Sequence, residues 1–449
     1  MIRLVLFVIL VFFYFITYSQ NTALTMQQCI DYAKENHNKV KNDILEIADA
    51  EGNIKEFTAI GMPKLTGNAE LQHFIDIPTS IIQSGTFFEG DPDQGIPANP
   101  ESDLPVQFGV RNSVNAGVSA DFLLFDGSFF IGLKASRVFR DLVAKQANIT
   151  KEDLAHDVAK AYLGVAVARK NLDIVQRNID NLQQTTNEMR VTYEEGFIEK
   201  LDLDRMQLSI NNLKLEEERV SSMIEISKNV LKFSMGYPLA DPLEISETME
   251  DLPTTSFALT DLQNLQVNYE NRPAYAALQV NDELNELNIK RLEYQYLPVL
   301  RGFASYAQVL QGNKLSGGIW FPTTVIGLSL NVPIFDGFEK KSKIHRAKIA
   351  RDQHLITLNE LENAISLEVR NAKLGFTNAL SVVRAAEDNL ALAEDIHKTA
   401  QIKYREGVGT SLEITQSERD LYAAQGQLIQ TEYNLHIAQI DLKKALGNL

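Results

Sequence analysis

Two patterns of apolar positions run along this chain. Between residues 114 and 124 every second side chain is apolar (Val114, Ala116, Val118, Ala120, Phe122, Leu124), and Asn115, Gly117, Ser119 and Asp121 fill the gaps. Ile326, Leu328, Leu330, Val332 and Ile334 repeat the pattern against Gly327, Ser329, Asn331 and Pro333. A period of two with one apolar and one polar face predicts β-strands. Each strand has an upstream mate, over 63–76 and 298–310. The first mate sets Lys64, Thr66, Asn68, Glu70 and Gln72 against Leu65, Gly67, Ala69 and Leu71; in the second, Phe303 falls where a polar residue is expected.

The other pattern is helical. All thirteen prolines lie within 63–105, 238–273 and 298–333, which leaves two long tracts without one. Proline loses a hydrogen bond and clashes inside a helix, so these tracts are the candidate long helices. Each starts after a Phe-Asp-Gly turn and runs to Gly196 or Gly407. Such a helix spans roughly 100 Å at 1.5 Å per residue. A second helix returns over about 201–235 and 411–446. In the later one Ile414, Leu421, Leu428, Leu435 and Leu442 recur at intervals of seven, with Ser417, Ala424, Thr431, Ala438 and Ala445 three residues on. That heptad predicts lateral, coiled-coil packing. The earlier copy reads Leu203, Ile210, Glu217, Ile224 and Leu231.

The two patterns occur twice. Phe125-Asp126-Gly127 recurs as Phe335-Asp336-Gly337, and Tyr193-Glu194-Glu195-Gly196 as Tyr404-Arg405-Glu406-Gly407. Gly164, Gly196 and Gly236 recur as Gly375, Gly407 and Gly447, so the chain is built of two copies of one structural half. The mid-helix pair Gly164 and Gly375, each costing about 1 kcal/mol relative to alanine, suggests close helix packing. The offset between copies is 235 at Pro63 and Pro298 but 210 after the strands, so the first hairpin carries 25 extra residues. These lie within 77–107, a stretch rich in Pro, Gly, Asp and Phe that reads as an exposed loop. Asp91, Asp93 and Gly95 there resemble the start of a calcium loop only distantly, and a solvated loop is the better reading.

The resulting map is a signal peptide (1–20), N-terminal helices (21–62), a first β-hairpin (63–125) with the long loop 77–107, a first long helical hairpin (126–236), a linker (237–257), helices of the second half (258–297), a second β-hairpin (298–335) and a second long helical hairpin (336–449). The leader has Arg3, an apolar run from Leu4 to Ile16, and small or polar Thr17, Ser19 and Gln20. A retained N-terminal anchor is the alternative. No later run reaches about 18 apolar residues, so an exported chain without transmembrane helices is expected.

Composition narrows the classes further. Cys29 is the single cysteine, so no internal disulfide forms, and it does not sit at the cleavage site for lipid attachment. A formal charge of −16 argues against nucleic acid and against anionic membrane surfaces as partners. The seven histidines show no metal-ligand spacing, and there is neither a phosphate-cradling glycine loop nor a nucleophile elbow. No catalysis, cofactor or metal is expected. Four strands cannot close a barrel, and open sheet edges are not tolerated in lipid. Two copies give eight strands with a filled interior; three give twelve with an open lumen, which the polar inner face favours.

The leader, the duplicated strand and helix hairpins, the strand ends Leu124-Phe125-Asp126-Gly127 and Ile334-Phe335-Asp336-Gly337, and Gly407-Val408-Gly409-Thr410-Ser411 at a helical tip together resemble the TolC family of outer-membrane efflux proteins. The resemblance covers about 21–449. It implies a mainly α fold with a small β-barrel portion: long antiparallel coiled-coil hairpins forming an α-barrel, and four strands per chain in a trimeric twelve-stranded transmembrane β-barrel. It also implies a passive exit duct in the outer membrane of a Gram-negative bacterium, with a long periplasmic extension. The partners implied are a homotrimer, outer-membrane lipid, a periplasmic adaptor and an inner-membrane transporter, in tripartite efflux or type I secretion. An exported structural or adhesive rod with a barrel anchor is the alternative.

Site residues follow by position. Gly407, Val408, Gly409 and Thr410, with Glu195, Gly196, Phe197 and Ile198 in the first half, fill the positions where family members meet the adaptor; a glycine there is also an ordinary left-handed helix cap. Glu413, with Asp202 as its first-half counterpart, fills an acidic ring that narrows the closed end. Thr410-Ser411-Leu412-Glu413 reads equally as a capping box. The second acidic ring position is Gln416, which weakens any cation block. Tyr404 matches a tyrosine that latches closed gates in some members, but Gly409 replaces the arginine that partners it there. Trp320, Phe321, Phe87 and Phe88 are expected at barrel rims.

Overall fold

The computed structural model describes residues 23–84, 90–94, 102–252 and 267–449; the leader, Phe87, Phe88 and Gly95 lie outside them. In chain order the helices are α1 (Met26–Asn36), α2 (Asn38–Ile60), α3 (Gly127–Glu194), α4 (Lys200–Met235), α5 (Pro273–Tyr294), α6 (Glu339–Arg405) and α7 (Ser411–Ala445). The strands are β1 (Lys64–His73), β2 (Thr79–Ile82), β3 (Leu104–Gln107), β4 (Asn112–Phe125), β5 (Val299–Gly312) and β6 (Ile319–Asn331). Among the described residues no helix is long and apolar enough to cross a membrane. The chain divides into a sheet unit, residues 50–138 and 283–352, and a helical unit made of the rest.

In the sheet unit, β1, β4, β5 and β6 form one antiparallel sheet in that order. The register sets Leu71 against Val114, Val114 against Leu310, and Leu310 against Trp320. Because side chains alternate, that register gathers Leu65, Val118, Phe122, Ile326 and Leu328 on one face, and Lys64, Asn68, Glu70, Ser119, Asp121 and Ser329 on the other. The exception is accounted for by its neighbour. Phe303 pairs with Gly327, where an added Cβ would stand 2.5 Å from the phenyl ring. The ring covers the glycine, so an aromatic side chain occupies the polar face. The strand ends also differ from the alternation. β6 starts at Ile319 and stops at Asn331, so Val332 and Ile334 lie beyond it; Pro333 offers no N–H to prolong the ladder. Among the described residues both outer strands, β1 and β6, have one unpaired edge.

The expected loop 77–107 holds a short ribbon, with β2 paired to β3 so that Ile81 faces Pro105 and Ile82 faces Leu104. Asp91 accepts the Asp93 N–H at 3.1 Å, a turn bond within that stretch. The first turns of α3 join the sheet unit through a stacked Phe57–Phe129 pair with ring centroids 5.9 Å apart. Gly132 sits beneath the Phe57 ring, where a Cβ would come within 2.5 Å.

The strand-to-helix turns differ between halves. Asp126 accepts the Ser128 N–H at 2.9 Å and α3 begins at once with Gly127. In the second half Gly337 and Phe338 both take left-handed backbone, φ 65° and 68°, before α6 begins. A bulky residue at positive φ is strained by about 1–3 kcal/mol. Asp336 holds the turn, accepting the N–H of Phe338 and of Lys340, each at 3.1 Å.

In the helical unit the proline-free tracts are α3 and α6, of 68 and 67 residues, each followed by its returning helix. Three clusters form its core. Tyr162, Leu163, Leu231, Met235 and Cys29 make one, where burial raises the Cys29 thiol to about 12. Ile365, Val369, Phe376, Leu435 and Leu442 make the second; Leu182, Met189, Met206, Ile210 and Ile414 make the third, near the tips. The heptad positions Ile414, Leu435 and Leu442 are buried as the periodicity predicts. A parallel bridge joins Leu24 to Ile245, and the Tyr162 hydroxyl locks it, donating to the Leu24 carbonyl at 3.1 Å and accepting the Glu247 N–H at 3.2 Å.

Gly164 and Gly375 do not mark close packing within the chain. A Cβ added at either meets nothing within 4 Å. They border open grooves, Gly164 beside Val220 and Ile429, and Gly375 beside His156 and Asp441. Close approach occurs instead at the helix ends. Gly236 and Gly447, φ 69° and 70°, would carry a Cβ into the backbone of His37 and of Asn271.

Candidate functional site at the helical tips

The two tips are built alike. At the first, the Gly196 N–H returns to the Tyr193 carbonyl at 2.9 Å and the Phe197 N–H to Thr192 at 3.1 Å. At the second, Gly407 returns to Tyr404 and Val408 to Lys403, each at 3.0 Å. Gly196 and Gly407 have φ of 80° and 74°, the left-handed cap that lets the chain reverse. This geometry pushes Phe197 and Val408 out at equivalent places, 76% and 78% exposed, with Leu201 and Leu412 a turn further on. Both tips therefore present exposed apolar side chains.

Gly409 meets a steric demand. Its Cβ would stand 2.9 Å from both the Lys403 Cβ and the Tyr404 nitrogen, so this loop has no room for a side chain there. The Tyr404 hydroxyl is buried without a hydrogen-bond partner, and burial, then the nearby Asp202 charge, hold its pKa above the ordinary tyrosine value. Among the described residues Tyr404 thus has no latch partner, in keeping with the glycine at 409 where an arginine would be needed.

Asp202 and Glu413 occupy different surroundings. Asp202 is half-buried, accepts the Ser411 hydroxyl of the second hairpin, and lies 3.8 Å from Arg205, so it ties the two hairpins together. Glu413 is exposed. Thr410 accepts the Glu413 N–H at 3.3 Å, which is the first bond of the capping box. Glu413 shares an open groove with Asp395, Lys403, Gln416 and Asp420. Gln416 donates to Asp420 at 2.9 Å. The structure thus brings Glu413 together with Gln416, and Asp202 with Tyr404, but does not bring the two pairs together. Asp420 escaped the sequence reading although it stands one heptad after Glu413 and on the same helix face.

Between the hairpins lies a cavity of about 550 Å³, lined by Met189, Phe197, Ile198, Tyr404 and Ile414 and bridged by Arg405 and Glu188 at 3.2 Å. On α7, Glu418 is 3% exposed, and burial pushes its carboxyl up to about 7. His397 shares a 3.0 Å hydrogen bond with Ser417, and burial lowers its pKa. Among the described residues no group of side chains has the makings of a metal site.

The chain combines an amphipathic four-stranded sheet with two long helical hairpins whose tips carry exposed apolar and acidic side chains. Residues 265–448 match the model of the family described as outer membrane efflux protein. The outer membrane protein TolC of Vibrio cholerae is 20% identical over 339 residues, 75% of this chain and 77% of that protein. The alkaline protease secretion protein AprF of Pseudomonas aeruginosa is 20% identical over 300 residues, which are 66% of this chain and less than two thirds, 62%, of its own length. Among solved structures, CusC superposes with a TM-score of 0.72 at 17% identity, covering 95% of this chain and 93% of its own. The open state of the Neisseria gonorrhoeae channel MtrE gives 0.70 at 18% identity, covering 94% and 88%. The matched stretch is the second half of this chain, which is similar there to the outer membrane efflux proteins, and the fold as a whole is that of the solved channels.

Proposed function

We propose that three copies of this chain form a passive duct through the outer membrane, with twelve strands closed into a barrel and the helical hairpins forming a tunnel. The observation that carries this reading is the sheet: apolar on one face, polar on the other, and unpaired along both β1 and β6. Such edges require partners in lipid, and a copy of the same chain supplies the matching edge. Energy would come from an inner-membrane transporter, reached through a periplasmic adaptor that seats on Phe197, Val408 and the glycine caps. The matching family is described by efflux and AprF is named for secretion, which favours a duct over an adhesive rod.

Purified protein in planar bilayers is expected to show stepwise conductance, and its cross-linked form to migrate as a trimer. No current under any gating condition would exclude the duct. Three Glu413 carboxylates at the tip, with Asp420 about 10 Å along the helix, would attract cations. Glu413→Gln is then expected to weaken block by divalent cations several-fold. Unchanged block would leave Glu413 with its capping position alone.

A further inference from the structure

The start of α6 departs from the rest of the chain in charge. Residues 340–351 hold six Lys or Arg and no acidic residue, in a protein of net charge −16. The corresponding stretch of the first half, 129–140, holds three. Some of these charges are satisfied locally: Lys340 pairs with Asp336, Lys343 with Glu339, and Arg351 lies 3.9 Å from Glu286. Lys341, His345, Arg346 and Lys348 are exposed and have no carboxylate partner among the described residues. Lys341, His345 and Lys348 fall on one face of α6, and Asp352 closes that stripe at its far end.

The same face continues upward into bare apolar surface. Ile334, Phe335 and Phe338 are 94%, 76% and 64% exposed, and the two rings meet edge to face at 5.5 Å. The Lys341 ammonium lies 6.0 Å from the Phe338 ring, which places the basic stripe directly below the aromatic pair. The strained left-handed backbone at Phe338 holds that ring outward. Strain of this kind persists where position matters. All of this sits at the sheet end where β6 hands over to α6.

Aromatic rings above a lysine stripe match the border between hydrocarbon and anionic headgroups. We propose that this face of α6 docks on the phosphate headgroups of anionic phospholipid in the leaflet adjoining the lower end of the sheet, with Phe335 and Phe338 inserted above Lys341 and Lys348. The proposal rests on reading the sheet as a membrane barrel. It also limits an expectation drawn from net charge: the chain as a whole repels anionic surfaces, and this face does not.

The test uses the full-length protein in detergent, with its thermal unfolding followed as lipid is added. Phosphatidylglycerol is expected to raise the melting temperature at lower concentration than phosphatidylcholine, and 0.5 M salt to remove the difference. Each lysine near an anionic surface is worth about fivefold in affinity. Lys341→Gln/Lys348→Gln should therefore raise the phosphatidylglycerol concentration for half-maximal stabilisation roughly 25-fold. No preference in the wild type, or an unchanged preference in the double variant, overturns the proposal. So does equal stabilisation by inorganic phosphate, which would mark a simple anion site. Conductance in neutral phosphatidylcholine bilayers is read in parallel: its loss counts against the barrel, while conductance without lipid preference counts against the docking face alone.

Discussion

Glu418→Gln is expected to abolish a fall in stability that the wild-type helical unit shows as pH rises from about 4.5 to about 7. Glu418 lies on α7 one turn from the buried Ile414 and one turn from Tyr422. It has no hydrogen bond or ion pair among the described residues. The groups around it do not compensate a charge. Tyr422, on the same helix, has its pKa raised by burial and then by Glu418 itself. His397 on α6, bonded to the adjacent Ser417, is held toward its neutral form by burial. Below about 4.5 the carboxyl is protonated in native and unfolded chains alike, and it contributes no pH dependence. Between there and about 7 the unfolded chain releases a proton that the native chain keeps, so native stability falls. Above that range the penalty is complete, about 3 kcal/mol at 1.36 kcal/mol per pKa unit. Thermal unfolding followed by circular dichroism from pH 4.5 to 8.5 measures it. Identical slopes in the two proteins would show that Glu418 ionises freely.

Arg272→Ala is expected to cost about 2–3 kcal/mol, below the range for a fully buried pair because its partner Glu368 is 42% exposed. Its guanidinium is buried at the C-terminus of α7, donating to the Ala445 carbonyl at 2.8 Å and pairing with Glu368 at 3.0 Å. The helix end offers unpaired carbonyls and the negative pole of its dipole, and the arginine answers both. Glu152 depends on it too: burial raises that carboxyl's pKa, and the Arg272 charge is the first of the effects that oppose the rise. Arg272→Lys keeps the charge but loses the planar fork, so it should recover part of the loss. Calorimetric melting of both variants checks the order. A decrease of less than about 1 kcal/mol in the alanine variant would mean that water reaches the site.

The long elements were legible because their signals are cumulative. Dozens of residues without proline, and side-chain periods of two and seven, leave few alternatives for 127–194 or 112–125. The β2–β3 ribbon was hidden because Pro105 and the surrounding acidic, glycine-rich residues look like loop, although Ile81, Ile82 and Val106 carry strand preference. Phe338 could not be foreseen, since left-handed backbone is expected of the glycine before it and not of a phenylalanine. The tip residues were found by position, but their partners were not. Asp202 and Ser411 stand 209 residues apart, and only the tertiary fold sets their contact. Glu418 was overlooked because a charged residue ordinarily marks a solvated helix face; its spacing of four from Ile414 was the available warning. Gly164 and Gly375 show the opposite failure, a duplicated signal that corresponds to open groove.

The unpaired edges of β1 and β6 also govern how the protein comes into being. Every open backbone group costs several kcal/mol in hydrocarbon, so a solitary chain has no resting place in the bilayer. On the proposed barrel, entry into the membrane waits for copies to meet, which makes its rate depend on more than the first power of protomer concentration. Until they meet, both edges are templates for any extended chain nearby. Biogenesis is thus a race between like edges finding each other and unlike ones finding them first, and an escort that covers the edges changes its outcome without altering the final structure.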